Sequence, residues 1–382
     1  MRRASASFPI ALAGLAALAA AMGIGRFIYT PILPRMVEAG ELTNADAGLL
    51  ASANFAGYLV GALLAATPAI GRSRRTWLFA GLIASSLTTG AMAFAAGVET
   101  FAVVRFIGGV ASAIVLVLAS ALVLERLTAA NRPGLSALYF AGVGVGIVAS
   151  ALLVFVISES RADWRALWLA GGIVALVGSV LAAVPLLGPA SVPHMPLTFE
   201  GPDRPRRADL RPLIAAYGLF GFGYVITATF LVAIVRGSAE TRILEATVWL
   251  VVGLAAIPSV ALWGLLARRI GVPRAIALAC LVEAIGVSFT VLGASGTGVL
   301  IGGALLGGTF MGITALGLVR ARAEGADPRR IVAIMTGAFG VGQIVGPTFA
   351  GVLYDASGTL WLPTLAAAAA LVLAAALASR GG

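Results

Sequence analysis

The chain of 382 residues has no lysine, one histidine and one cysteine, and only 11% of it is charged. A single cysteine, Cys280, excludes an internal disulfide, and with the isolated His194 it excludes a Cys/His metal cluster. Too little charge is present to cover a soluble domain of this length, because 60% of the residues are hydrophobic. A transmembrane barrel is excluded as well, since the apolar stretches are long and continuous rather than alternating segments of about ten residues.

What is present is a succession of apolar runs, each near the ~20 residues that cross a bilayer as a helix. We place twelve spans at 8–36, 45–70, 76–97, 100–124, 135–158, 164–187, 210–235, 245–267, 273–293, 297–319, 331–353 and 361–379. The first follows Arg2 and Arg3 and resembles a secretory signal, but it runs past Met22 without a cleavage site and reads as a retained span. All 26 basic residues are arginines. Alternating the loops puts 19 of them on the side of the termini and five (Arg35, Arg161, Arg165, Arg236, Arg242) on the other, leaving Arg26 and Arg105 within spans. That asymmetry predicts cytoplasmic termini, and it explains the net charge of +10 without any nucleic acid. The arginine- and alanine-rich, lysine-free usage hints at a bacterium with GC-rich DNA, and the expected location is the bacterial inner membrane.

The sequence divides in two. Residues 188–209 hold Pro189, Pro193, Pro196, Pro202 and Pro205 with a basic cluster, and read as a cytoplasmic linker between bundles at 1–187 and 210–382. Gly23-Ile24-Gly25-Arg26-Phe27-Ile28 aligns with Gly221-Phe222-Gly223-Tyr224-Val225-Ile226. Gly108-Gly109 with Arg126 aligns with Gly302-Gly303 and Arg320, and Ile147–Ser150 with Ile344–Pro347. The nearly constant offset indicates a duplicated six-helix unit.

These residues resemble the major facilitator superfamily along the whole chain. The loop after the eighth span, Gly264 with Arg268-Arg269, Gly271 and Arg274, is similar to that family's loop signature. Gly71 with Arg72, Arg74 and Arg75 is a more degraded copy. Arg105 with Gly108-Gly109 resembles its fourth-span motif, and Gly142, Gly144 and Gly146 its glycine-rich fifth span, which is commoner in exporters. The run Gly23–Pro34 resembles the signature of the YbfB/YjiJ-type branch. The resemblance implies an all-α integral membrane protein, with twelve transmembrane helices in two pseudo-symmetric six-helix bundles around a central cavity lined by the first and fourth helices of each half.

Charged groups inside a bilayer cost several kcal/mol unless paired or hydrated, so Arg26, Arg105 and Glu283 are candidates by default. Two guanidinium groups facing one cavity suit a carboxylate. Against this, Arg105 is placed to snorkel or cap carbonyls, and Arg26 to brace a kink at Pro31 and Pro34. Glu283, mid-span, is a candidate proton carrier, or a neutral acid hydrogen-bonded within its bundle. Asp46 reads as a helix cap or a partner for Arg35. Tyr29, Thr30, Asn54, Tyr58, Tyr217, Tyr224, Thr227 and Gln343 lie on cavity helices, and Tyr224 is the repeat counterpart of Arg26. The expected substrate set is Arg26, Tyr29, Asn54, Tyr58, Arg105, Tyr224 and Gln343.

The function these features predict is secondary transport of a small organic solute, with an anion favoured, by alternating access and proton coupling. The alternative is a drug or metabolite/proton antiporter working as an exporter. An enzyme is disfavoured by the lack of a catalytic cluster, and a channel by the internal duplication. No cofactor, metal or nucleic acid is implied. The expected partners are the solute, protons and the lipid bilayer, and the expected state is a monomer.

Overall fold

The computed structural model describes residues 7–159, 163–186, 210–292, 296–324 and 328–380. The linker at 188–209 with His194, and the arginines Arg2, Arg3, Arg161, Arg204, Arg206 and Arg207, lie outside the described residues.

The described residues are helical because an apolar segment in hydrocarbon must satisfy its own backbone hydrogen bonds. In chain order the long elements are α1 (Ser7–Glu38), α2 (Asn44–Ala65), α3 (Arg74–Ala91), α4 (Val98–Ala129), α5 (Ser136–Glu159) and α6 (Trp164–Leu186). There follow α7 (Arg211–Arg236), α8 (Glu245–Ile270), α9 (Val272–Leu292), α10 (Gly296–Glu324), α11 (Pro328–Ser357) and α12 (Trp361–Ser379). Among the described residues, eleven helices are long and apolar enough to span a membrane. The twelfth, α3, occupies the third position but opens on Arg74-Arg75 and ends at Ala91 rather than at the expected 97. Asp46 completes a capping box with Thr43 at the start of α2, which settles its role as a cap.

The chain is an all-helical membrane protein. Val177, Val180, Leu181 and Val184 on α6 and Ile285, Phe289 and Leu292 on α9 turn outward to exposure that only lipid suits. Inside, α2 packs along α4 and α11, α5 along α8, and the end of α1 along α7. Helices α4 and α10 pack chiefly within their own sets of six. The glycines of the fifth span divide their work. A side chain on Gly146 would strike α1 at Gly23, while one on Gly144 would come within 2.7 Å of Gly253 and Ile257 on α8.

Two expectations need correction. Arg320 does not sit in a loop: it lies inside α10, is only 3% exposed, and donates to the Ala378 carbonyl of α12 at 2.8 Å. A long side chain pointing back along its helix reaches the open carbonyls at the end of α12, which offer the hydrogen bonds that water would. Helix α1 is also not one regular span. It changes to a π-helical turn at Ala19–Ile24, loses helical form over 25–28, and restarts at Tyr29.

Candidate functional site

The break in α1 follows from its sequence. Gly23 and Gly25 weaken the helix, and Pro31 has no N–H to give to Phe27. The Thr30 amide bonds to Phe27 instead of to Arg26. The carbonyls of Gly25 and Arg26 are thereby left open in the membrane interior. Arg105 of α4 fills the gap, with Nη1 on Gly25 at 3.5 Å and Nη2 on Arg26 at 3.4 Å. Its guanidinium also lies 4.6 Å from the Tyr29 ring centre, and the Asn54 amide donates to its carbonyl at 2.8 Å. Arg105 therefore caps the break. Replacing it with methionine leaves two buried carbonyls unpaired, at about 1–3 kcal/mol each. We expect a clear fall in melting temperature for Arg105→Met in detergent; an unchanged value would contradict this bracing role.

Arg26 is held differently. It is 4% exposed, and its guanidinium carbon lies 4.2 Å from the Phe55 ring centre and 4.3 Å from that of Tyr58. The rings supply cation–π stabilisation to the faces of the group, but the N–H donors point out of its edge, in the guanidinium plane. Nε and Nη2, which form one side of the fork, are buried and without a hydrogen-bond partner. Buried donors are rarely left unmade. This edge has the two-donor geometry that accepts a carboxylate side-on.

The facing side comes from α7, α10 and α11. Phe27 meets Phe310 edge-on at 6.0 Å, Phe310 lies parallel to Tyr224 at 5.9 Å, and Tyr224 lies parallel to Phe339 at 5.7 Å. The Tyr224 hydroxyl accepts from Gln343, whose own oxygen is buried and unpaired. Phe27, 5.6 Å from the Arg26 guanidinium and 6.0 Å from Phe310, joins the two sides across the two sets of six helices. Tyr29 turns away and donates to the Ala47 carbonyl at 2.8 Å. Glu283 is fully buried on α9, outside this group, with Thr309 of α10 beside it.

One end of the site is shut. The connections α1–α2, α7–α8 and α11–α12 define a face of the bundle that we term distal. There, Glu38 pairs with Arg236 and with Arg242 at 3.3 Å, and Glu245 pairs with Arg236 at 3.0 Å. Asp355 of α11 accepts from Asn44 N–H at 3.2 Å, Asn44 Nδ2 at 3.0 Å and Ala45 N–H at 2.8 Å, at the start of α2. Deeper, Thr30 donates to the Ala228 carbonyl at 2.7 Å and Ser52 to that of Ile344 at 2.5 Å. The space between this closure and Arg26, bounded by Phe27, Thr30, Phe55 and Thr229, is about 10 Å³, room for one water at most.

A family model described as the uncharacterised MFS-type transporter YbfB matches residues 18–379. The chain belongs to that family. As a member of the major facilitator superfamily it is a multi-pass membrane transporter and not an enzyme. Among solved structures, the nucleoside transporter NupG superposes with a TM-score of 0.69 at 14% identity, covering 97% of this chain and 98% of that one. At that identity the likeness establishes the fold. No curated protein matches this major facilitator chain. Sequence reasoning missed Phe310 and Phe339 in the facing wall and Glu38, Arg236 and Asp355 in the distal closure. One signal was available: Glu38 and Arg236 are opposite charges 198 residues apart, the offset of Arg26 and Tyr224.

Proposed function

We propose that the chain carries a small organic anion across the bacterial inner membrane by alternating access, coupled to protons. The observation that carries this reading is the unpartnered Nε/Nη2 edge of Arg26, buried at the centre of the molecule between aromatic rings. A carboxylate supplies both the charge and the paired acceptors that this edge lacks. A neutral solute, such as the nucleoside that gives NupG its name, leaves the charge uncompensated.

In this reading the bundles 1–187 and 210–382 rock about the site, joined by the linker at 188–209, and the working unit is a monomer. The arginine asymmetry favours cytoplasmic termini, so the distal closure faces outward and the anion is released toward the cytoplasm. Glu283 is the proposed proton site: it is buried mid-membrane on α9, in the bundle that also carries Tyr224. Export by antiport is the alternative, and the direction of coupling separates the two.

The test is uptake of a panel of radiolabelled small carboxylates into proteoliposomes, corrected for passive entry into empty liposomes. Symport with one proton accumulates the anion roughly tenfold per unit of inward proton gradient. Glu283→Gln is expected to keep exchange of labelled for unlabelled anion but lose this accumulation. Accumulation that persists in Glu283→Gln contradicts the proton-site assignment.

A further inference from the structure

We propose that the solute is an aromatic carboxylate, its carboxylate on the edge of Arg26 and its ring against the wall formed by Tyr224, Phe310 and Phe339. The inference deepens the anion reading and rests on it.

The wall is the observation that the anion alone leaves unexplained. Phe310 and Tyr224 are parallel to within 6°, and Tyr224 and Phe339 to within 2°, although they come from α10, α7 and α11. Phe220 stacks behind, 5.1 Å from Tyr224 and 5.5 Å from Phe339. Three helices thus present ring planes in one orientation. Offset-parallel and edge-on pairs are both favoured, and here two successive offset-parallel pairs share Tyr224, while Phe27 meets Phe310 at 72°. A set of parallel rings from three helices is an arrangement onto which one more flat ring stacks.

The wall is also continuous with the anion anchor. Phe27 touches Phe310 on one side and neighbours the Arg26 guanidinium at 5.6 Å on the other. Its polar content is small: the Tyr224 hydroxyl accepts from Gln343 and keeps its own proton to donate, and the Gln343 oxygen is unpaired. A ligand with one charged end and a planar apolar body matches this division, whereas a dicarboxylate or a sugar acid places its second polar end against phenyl rings. The Tyr224 O–H, which still has its proton to give, and the Gln343 oxygen, which accepts, both suit a ring hydroxyl.

The experiment is a thermal-shift titration of the full-length protein in detergent with benzoate, cyclohexanecarboxylate, acetate and benzamide, on the wild type and on Phe339→Leu. Benzoate and cyclohexanecarboxylate share charge and size and differ in the flat π face. We expect benzoate to half-saturate at a concentration five- to tenfold lower than cyclohexanecarboxylate, and acetate to be weaker than both. Phe339→Leu is expected to shrink the difference between the two rings, weakening benzoate more than cyclohexanecarboxylate. If Phe339→Leu does not fold, the wild-type series decides alone. Equal responses to benzoate and cyclohexanecarboxylate, both stronger than to benzamide, overturn the aromatic proposal and keep the anion reading. Benzamide binding as tightly as benzoate, or no response to any carboxylate, overturns both.

Discussion

Arg26→Met should weaken carboxylate binding roughly 10- to 150-fold without lowering the stability of the empty protein. A buried guanidinium with two unmade donors is a cost to the folded state, which the flanking rings only partly offset. Methionine fills similar space among Phe27, Phe55 and Tyr58 and adds polarisable contacts to the rings. The ligand-free melting temperature of this variant should therefore match or exceed that of the wild type. Binding is another matter: hydrogen bonds to a charged group contribute about 1.5–3 kcal/mol, so losing the fork reduces affinity roughly 10- to 150-fold. Arg26→Lys keeps the charge but not the fork, and belongs near the lower end of that loss. A brace for the α1 kink predicts the opposite pair of results, a destabilised protein that still binds.

Breaking the distal closure should move the protein toward its other state. Asp355 satisfies two backbone N–H groups and the Asn44 side chain at the N-terminus of α2, where a negative charge also interacts favourably with the helix dipole. Alanine at this position removes a cap, typically about 1 kcal/mol, together with its charge. Glu38→Gln weakens the pairs with Arg236 and Arg242. Together the two changes should remove about 2 kcal/mol from the closed arrangement, roughly a 30-fold shift in the balance of states. Distances between spin labels on Ala39→Cys and Ala239→Cys report it, with little background because Cys280 is buried. The double variant should show a longer distal distance in most molecules. Added salt should move the wild type the same way to a lesser degree. Identical distance distributions in wild type and variant would mean that these contacts do not hold the face shut.

Much of the architecture was legible because a bilayer makes few demands and makes them strictly. Span lengths, the absence of lysine, and the repeat linking Arg26 to Tyr224 depend on composition and order alone. Local geometry was less legible. Pro31 and Pro34 pointed to a kink, yet the helix fails earlier, at residues 25–28, because the cost of a missing proline N–H falls on carbonyls one turn upstream. The two membrane arginines looked alike in sequence. What separates them is tertiary: Arg105 meets the opened carbonyls of Gly25 and Arg26, while Arg26 lies against Phe55 and Tyr58 with Nε and Nη2 unpartnered. Arg320 was misplaced because a basic residue near a span end is ordinarily a loop residue, and only the end of α12 beside it explains its burial. The wall of Phe310 and Phe339 leaves no local trace, since its members are far apart in sequence and come from different helices.

The account rests on one edge of one side chain, and a cryo-electron microscopy structure with a bound carboxylate addresses it most directly. It predicts the two carboxylate oxygens about 2.7–2.9 Å from Nε and Nη2 of Arg26, with Phe55 and Tyr58 still covering the guanidinium faces. A carboxylate bound elsewhere, with the Arg26 edge turned to a protein carbonyl, would contradict it.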